Sequence, residues 1–209
     1  MRKGFVLIST LALIVILSFL ILVISRLIYN DTIKSTVYTS SIEKRIELIN
    51  SIFSNSKILV PFREPIQHAY SLLTQHKKFI EDAKNDNFIS KYMKWIGHTE
   101  FGPNYIPIHN QNLNFPNNLE INHWIEQWFL TYSDSFQSLK NKKNAHFISY
   151  EKLCSTKDYW VQIQKLVNIE KPSDFEFRES KKDIKGNIDS GLKEKVMSLY
   201  FELNCLNLN

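Results

Sequence analysis

Glycine and proline are scarce in this chain of 209 residues, at five and six. That scarcity excludes a collagenous rod, a Gly/Pro-rich linker and a loop-dominated fold. Cysteine is scarcer still. Cys154 and Cys205 are too few for a disulfide framework and lack the paired spacing of a metal site, so both read as ordinary thiols in a reducing or neutral setting. No segment repeats at a fixed period, which sets aside solenoids and propellers. The excess of positive charge is only +5 and is scattered. It suits a mildly anionic ligand or a membrane surface, and nucleic acid is not an expected partner. What remains is 44% hydrophobic and 22% charged, which describes a folded domain of ordinary size, or a smaller one with an appendage.

The apolar residues are unevenly spread. From Phe5 to Ile24 the chain reads FVLISTLALIVILSFLILVI, with no charge, proline or glycine. Twenty such residues cross a hydrocarbon core of roughly 30 Å as a helix. Residues 1–30 are therefore expected to form a single-pass membrane anchor. A cleaved signal peptide has a shorter apolar region and a small-x-small cleavage site, and a buried core helix normally shows a polar face. Arg2 and Lys3 on one side, and Arg26, Lys34, Lys44 and Arg45 on the other, leave the orientation open. Asn30-Asp31-Thr32 has the form of a glycosylation sequon.

Downstream, Ile42, Ile46, Ile49, Ile52 and Phe53 have helical spacing, and Ser54-Asn55-Ser56 breaks it. Lys57–Phe62 reads as a short buried strand, with Pro61 placing it near an end or an edge. Pro65 suits the first turn of a helix, expected to run to about Ala83 with Ile66, Ala69, Tyr70 and Leu73 inward. Further helices are expected at Phe88–Ile96, Leu119–Leu139, Asp158–Val167 and Leu192–Leu206. A second strand is expected at His146–Tyr150, and Gly97–Asn118 reads as a long loop, a place where function often sits. Strands alternating with helices imply an α/β fold with a parallel sheet, over residues 39–209.

The sharpest constellation is VPFREPIQHAYSLL, from Val60 to Leu73. An arginine at the carboxyl end of a strand points into the crevice where α/β folds bind ligands. The adjacent helix N-terminus, the Arg63 fork and the Ser71 hydroxyl make a plausible phosphate corner. The plainer reading, an ion pair of Arg63 with Glu64 or Glu81, stands beside it.

This segment resembles the 3′-phosphate-binding motif of the sulfotransferase family, R-x-P-x5-S, with Arg63, Pro65 and Ser71 in register. Three later stretches resemble bacterial members in the same order: Tyr92–Gly102 (YMKWIGHTEFG), Trp124–Tyr132 and Phe147–Cys154 (FISYEKLC). The resemblance covers about Ile42 to Leu206. It implies a partial P-loop-type α/β domain, a 3′-phosphoadenosine 5′-phosphosulfate (PAPS) donor, and a hydroxyl or amine acceptor. It also implies Arg63 and Ser71 as ligands of the donor's 3′-phosphate. In-line sulfuryl transfer then depends on positioning and positive charge, with a general base for the acceptor's proton.

One family element is not matched. The Gly-rich loop that cradles the 5′-phosphosulfate has the form G-x-x-R-S-G-T-T, and none of Gly4, Gly97, Gly102, Gly186 or Gly191 lies in an R-S-G context. The G-x4-G spacing of Gly186 and Gly191 is followed by Leu192-Lys193 and preceded by a polar stretch, so it reads as chance. Three readings follow: a membrane-tethered family member with a half-preserved donor site, a non-catalytic remnant that binds a nucleotide or protein, and an enzyme whose 5′ loop comes from a second chain. A sheet without the loop-bearing strand is expected to leave an open edge and apolar faces. The candidate bases are His68, one turn before Ser71, and the His98–Glu100 pair in the long loop. Tyr150-Glu151 reads as the end of a strand that caps the next helix, with a nucleotide contact as the lesser alternative. Lys185-Gly186 is too short a match to the family's late basic contact to count, and Trp124, Trp128 and Tyr132 at four-residue spacing read as core.

Overall fold

The apolar stretch Ile58–Phe62 forms strand β1 and Ala145–Ser149 forms β2. They pair in parallel, from Ile58 opposite Ala145 to Phe62 opposite Ser149. Parallel neighbours need a crossover, and here it carries helices α1 (Pro65–Asn85), α2 (Asn87–Trp95) and α3 (Ile121–Leu139). After β2 come α4 (Tyr150–Ser155), α5 (Lys157–Leu166) and α6 (Ser190–Cys205). This computed structural model describes residues 44, 48–49, 51–53, 55–171 and 173–206. The Phe5–Ile24 run and the Asn30 sequon lie outside those residues. Among the described residues, no helix is long and apolar enough to cross a membrane. Residues Ile42–Asn209 form one compact unit.

The helices start where local chemistry lets them. Glu64 accepts from the Gln67 N–H at 2.6 Å and Pro65 occupies the first turn of α1, where the missing proline N–H costs nothing. Ser149 caps α4 and Asp189 caps α6, each satisfying an N–H that the helix leaves free. The Ser149 cap ends the second strand one residue earlier than its sequence suggests, and Tyr150 opens a helix.

Ile66, Ala69 and Leu73 of α1 are buried against Trp124, Ile125 and Trp128 of α3 and Val196, Leu199 and Leu203 of α6. Phe62 and Phe147 bring the sheet into the same core. On the other face of β2, Ile148 packs with Tyr159 and Ile163. The expected inward spacing of Trp124 and Trp128 is met, and the fold is a mixed α/β one around a two-stranded parallel sheet.

β1 is covered less completely. The Ile58 N–H bonds Asn144 O at 2.8 Å, so by the register the peptide groups of Leu59 and Pro61 face away from β2. Pro61 has no N–H, and its carbonyl accepts from the Tyr132 hydroxyl at 2.7 Å. Leu59 and Pro61 are both exposed. Among the described residues the sheet has two strands, so Pro61 lies on an edge strand as its sequence suggests.

Candidate functional site

The carboxyl end of β1 delivers Arg63 beside the first turns of α1. Arg63 Nη1 lies 3.4 Å from Ser71 Oγ, so a strand, a turn and two helical turns bring together the two residues expected to hold a phosphate. The guanidinium sits over the Tyr150 ring, 4.9 Å from its centroid, and Nη2 donates to the carbonyl of Ser180. No carboxylate forms an ion pair with Arg63 among the described residues. The two nearby acids are engaged elsewhere. Glu64 caps α1, while Glu151 accepts from the Glu64 N–H at 2.9 Å and from Tyr200 at 3.1 Å. Burial, with Glu151 beside it, pushes the Tyr200 hydroxyl up to about 12, so it remains a donor.

The third wall is the segment Arg178–Lys182. Gln67 clamps it by donating to Lys182 O at 3.1 Å and accepting from Lys182 N at 2.9 Å. Tyr150 donates to Arg178 O at 2.8 Å. Arg178, Lys182 and Lys185 are exposed, and the contacts of this segment with Gln67 and Tyr150 use its backbone groups. Sequence reading picked out only Lys185 here. The helix N-terminus contributes less than expected. Pro65 has no N–H and Glu64 takes the Gln67 N–H, which leaves Arg63 and Ser71 as the expected phosphate ligands of the corner.

His68 lies in this corner, and its Nδ1 is buried with no hydrogen-bond partner. Burial first, then Arg63, lowers its pKa to about 4, with Glu151 opposing. It is therefore neutral at pH 7 and adds no charge to the corner. The other two candidate bases are remote from it. His98 Nδ1 pairs with Glu100 Oε2 at 2.8 Å, and its ring stacks on Phe79 of α1 at 5.4 Å. Phe79 is fourteen residues beyond Pro65, which at 1.5 Å per residue places it about 21 Å along the helix.

The long loop that carries His98 is held in place by buried side chains of α1 and α3. Glu126 accepts from Asn114 N, Asn114 Nδ2 and Phe115 N, each at 2.9 Å. Gln127 bonds both the N–H and the carbonyl of His109. His76 Nδ1 accepts from Gly102 N at 3.1 Å. His123 donates from Nδ1 to Phe115 O at 2.8 Å and meets the Tyr105 hydroxyl at 2.9 Å. These geometries use neutral imidazoles, and burial lowers the pKa of both.

Two cavities lie nearby. One of about 300 Å³ borders the corner and is lined by Ser149, Glu151, Lys152, Cys154, Glu179 and Tyr200 among others; two carboxylates against one lysine make it a poor phosphate site. The other, of about 600 Å³, runs between α3 and α6 along Phe129, Phe136, Glu194 and Leu199, and none of its lining residues belongs to the corner. Comparison of the chain with protein-family models, curated proteins and solved structures finds no match.

Proposed function

We propose that the Arg63 corner is the 3′-phosphate half of a sulfotransferase-type donor site, in a membrane-associated chain of that family. The donor would be PAPS and the acceptor a hydroxyl or amine. The observation that carries this reading is the Arg63–Ser71 contact at 3.4 Å on a guanidinium that no carboxylate neutralises. A half-buried arginine fork and a hydroxyl beside it would select a phosphate dianion over a neutral group. A chain that supplies the 5′ loop from outside is favoured by the exposed flank of β1 at Leu59 and Pro61.

The test is a thermal-shift titration of the full chain in detergent with adenosine 3′,5′-bisphosphate and, separately, ADP. A ligand that binds only the folded state adds about 2.7 kcal/mol at a hundredfold excess over Kd. The expected result is a shift with the bisphosphate alone, lost in Arg63→Ala. A cooperative melt unmoved by either nucleotide, or moved equally by both, overturns the assignment.

A further inference from the structure

The surface of α2 carries large apolar side chains that nothing among the described residues covers. Phe88 is 70% exposed and Trp95 82%, with Tyr92 and Ile96 exposed beside them. Phe88 stacks on Tyr92 at 5.8 Å and Tyr92 meets Trp95 at 6.1 Å, forming one continuous ridge. At 100° per residue these four side chains occupy an arc of about 100°, while Met93 on another side is buried in the fold. Lys91 borders the ridge, Lys94 lies further round, and Lys84 closes the preceding helix. All three are exposed and make no ion pair among the described residues. Of the acids nearby, Asp82 pairs with Lys78 at 2.6 Å and Asp86 accepts the Phe88 N–H at 2.7 Å.

Aromatic residues bordered by lysines are the pattern of a helix lying in the headgroup region of an anionic bilayer, rings toward the acyl chains and ammonium groups toward lipid phosphates. The same chain carries the uncharged Phe5–Ile24 run, long enough to cross a hydrocarbon core. From the ridge, its lysine border and that run, we propose that α2 docks on an anionic lipid surface through Phe88, Tyr92 and Trp95. The proposal does not rest on the nucleotide reading.

The native tryptophans make it testable on the full chain. Phe5–Ile24 contains none, Trp124 and Trp128 are buried, and Trp160 is partly buried. A signal that differs between the native chain and Trp95→Phe therefore reports on α2 however the chain is anchored. The chain is mixed with vesicles of phosphatidylcholine and phosphatidylglycerol bearing brominated acyl chains. Brominated lipid is expected to quench roughly half or more of the Trp95 emission, as a ring at the headgroup–acyl boundary requires. Acrylamide in the water is expected to lose access to it, and Lys91→Glu/Lys94→Glu to restore that access. Trp95 emission that stays open to acrylamide on vesicles overturns the proposal. So does emission shielded from both quenchers, since a protein partner or a second copy would then cover the ridge.

Discussion

His68 offers a quantitative test of how the Arg63 corner is built. In the unfolded chain its pKa is near 6.5, and in the folded chain burial and Arg63 hold it to about 4. The folded state thus binds fewer protons than the unfolded one between these values, and stability falls as the pH drops through that window. Above pH 6.5 the contribution is fully present. Carrying both pKa values from pH 7 to pH 5 gives a loss of about 2 kcal/mol from this one residue. His68→Gln keeps a polar side chain of similar reach and removes the titration. Urea unfolding followed by tryptophan fluorescence, at pH 7 and at pH 5, gives the free energies to compare. The native chain is expected to lose about 2 kcal/mol more than the variant, and the difference cancels the other histidines, which titrate in both. Equal losses in the two chains would refute the picture of a desolvated imidazole pressed against an arginine. Saturating bisphosphate should shrink the difference, because an anion at Arg63 offsets the charge that opposes protonation.

Two further substitutions test the loop that α3 holds. Glu126→Ala leaves three N–H donors of Asn114 and Phe115 without their acceptor at a side chain only 4% exposed, which should cost about 3 kcal/mol in urea unfolding and raise hydrogen exchange at those amides. Unchanged exchange there would refute the clamp. Gly102 has φ +83°, and an added Cβ would stand 3.2 Å from Phe79 Cβ; Gly102→Ala should therefore destabilise by about 1–2 kcal/mol, and a neutral result would mean the loop takes another path.

The parts of the fold legible in the sequence were those set by local chemistry. Pro65 after a strand, the Ile66–Ala69–Leu73 spacing and the tryptophans of α3 each obey one period or one cap, so α1, α3 and both strands could be placed to within a few residues. The Arg63–Ser71 contact was legible for the same reason. Arg63 and Ser71 are eight residues apart, and a strand-turn-helix fixes their approach. The Arg178–Lys182 wall was not legible, because it meets Gln67 from 115 positions away through backbone groups that every residue possesses. Glu126 and Gln127 were missed for the opposite reason. Polar residues on a helix read as a solvated face, and only the loop's unpaired N–H and carbonyl groups explain why burying them is favourable. His98 and Glu100 suit acid–base chemistry by type, but the loop pairs them with each other at the far end of α1 from the corner.

Binding and turnover are expected to separate under the proposed reading, because the two make different demands on the corner. Holding a 3′-phosphate needs cations and donors fixed in place, and Arg63 and Ser71 answer that need. Sulfuryl transfer also needs positive charge at the leaving oxygens and a base whose pKa lies near the working pH. His68, with its pKa lowered to about 4, is a poor proton acceptor at pH 7, since a weak base gains little by taking an alcohol's proton. The His98–Glu100 pair packs at Phe79, about 12 Å along α1 from Ser71 and about 21 Å from Pro65 by the helical rise. Arg63 can serve one phosphate but cannot at the same time reach a leaving group on the far side of a ribose. On that reading the described residues would account for recognition of the nucleotide's 3′ end, and the transfer step would draw its charge and its base from other groups, such as those of a second chain beside β1.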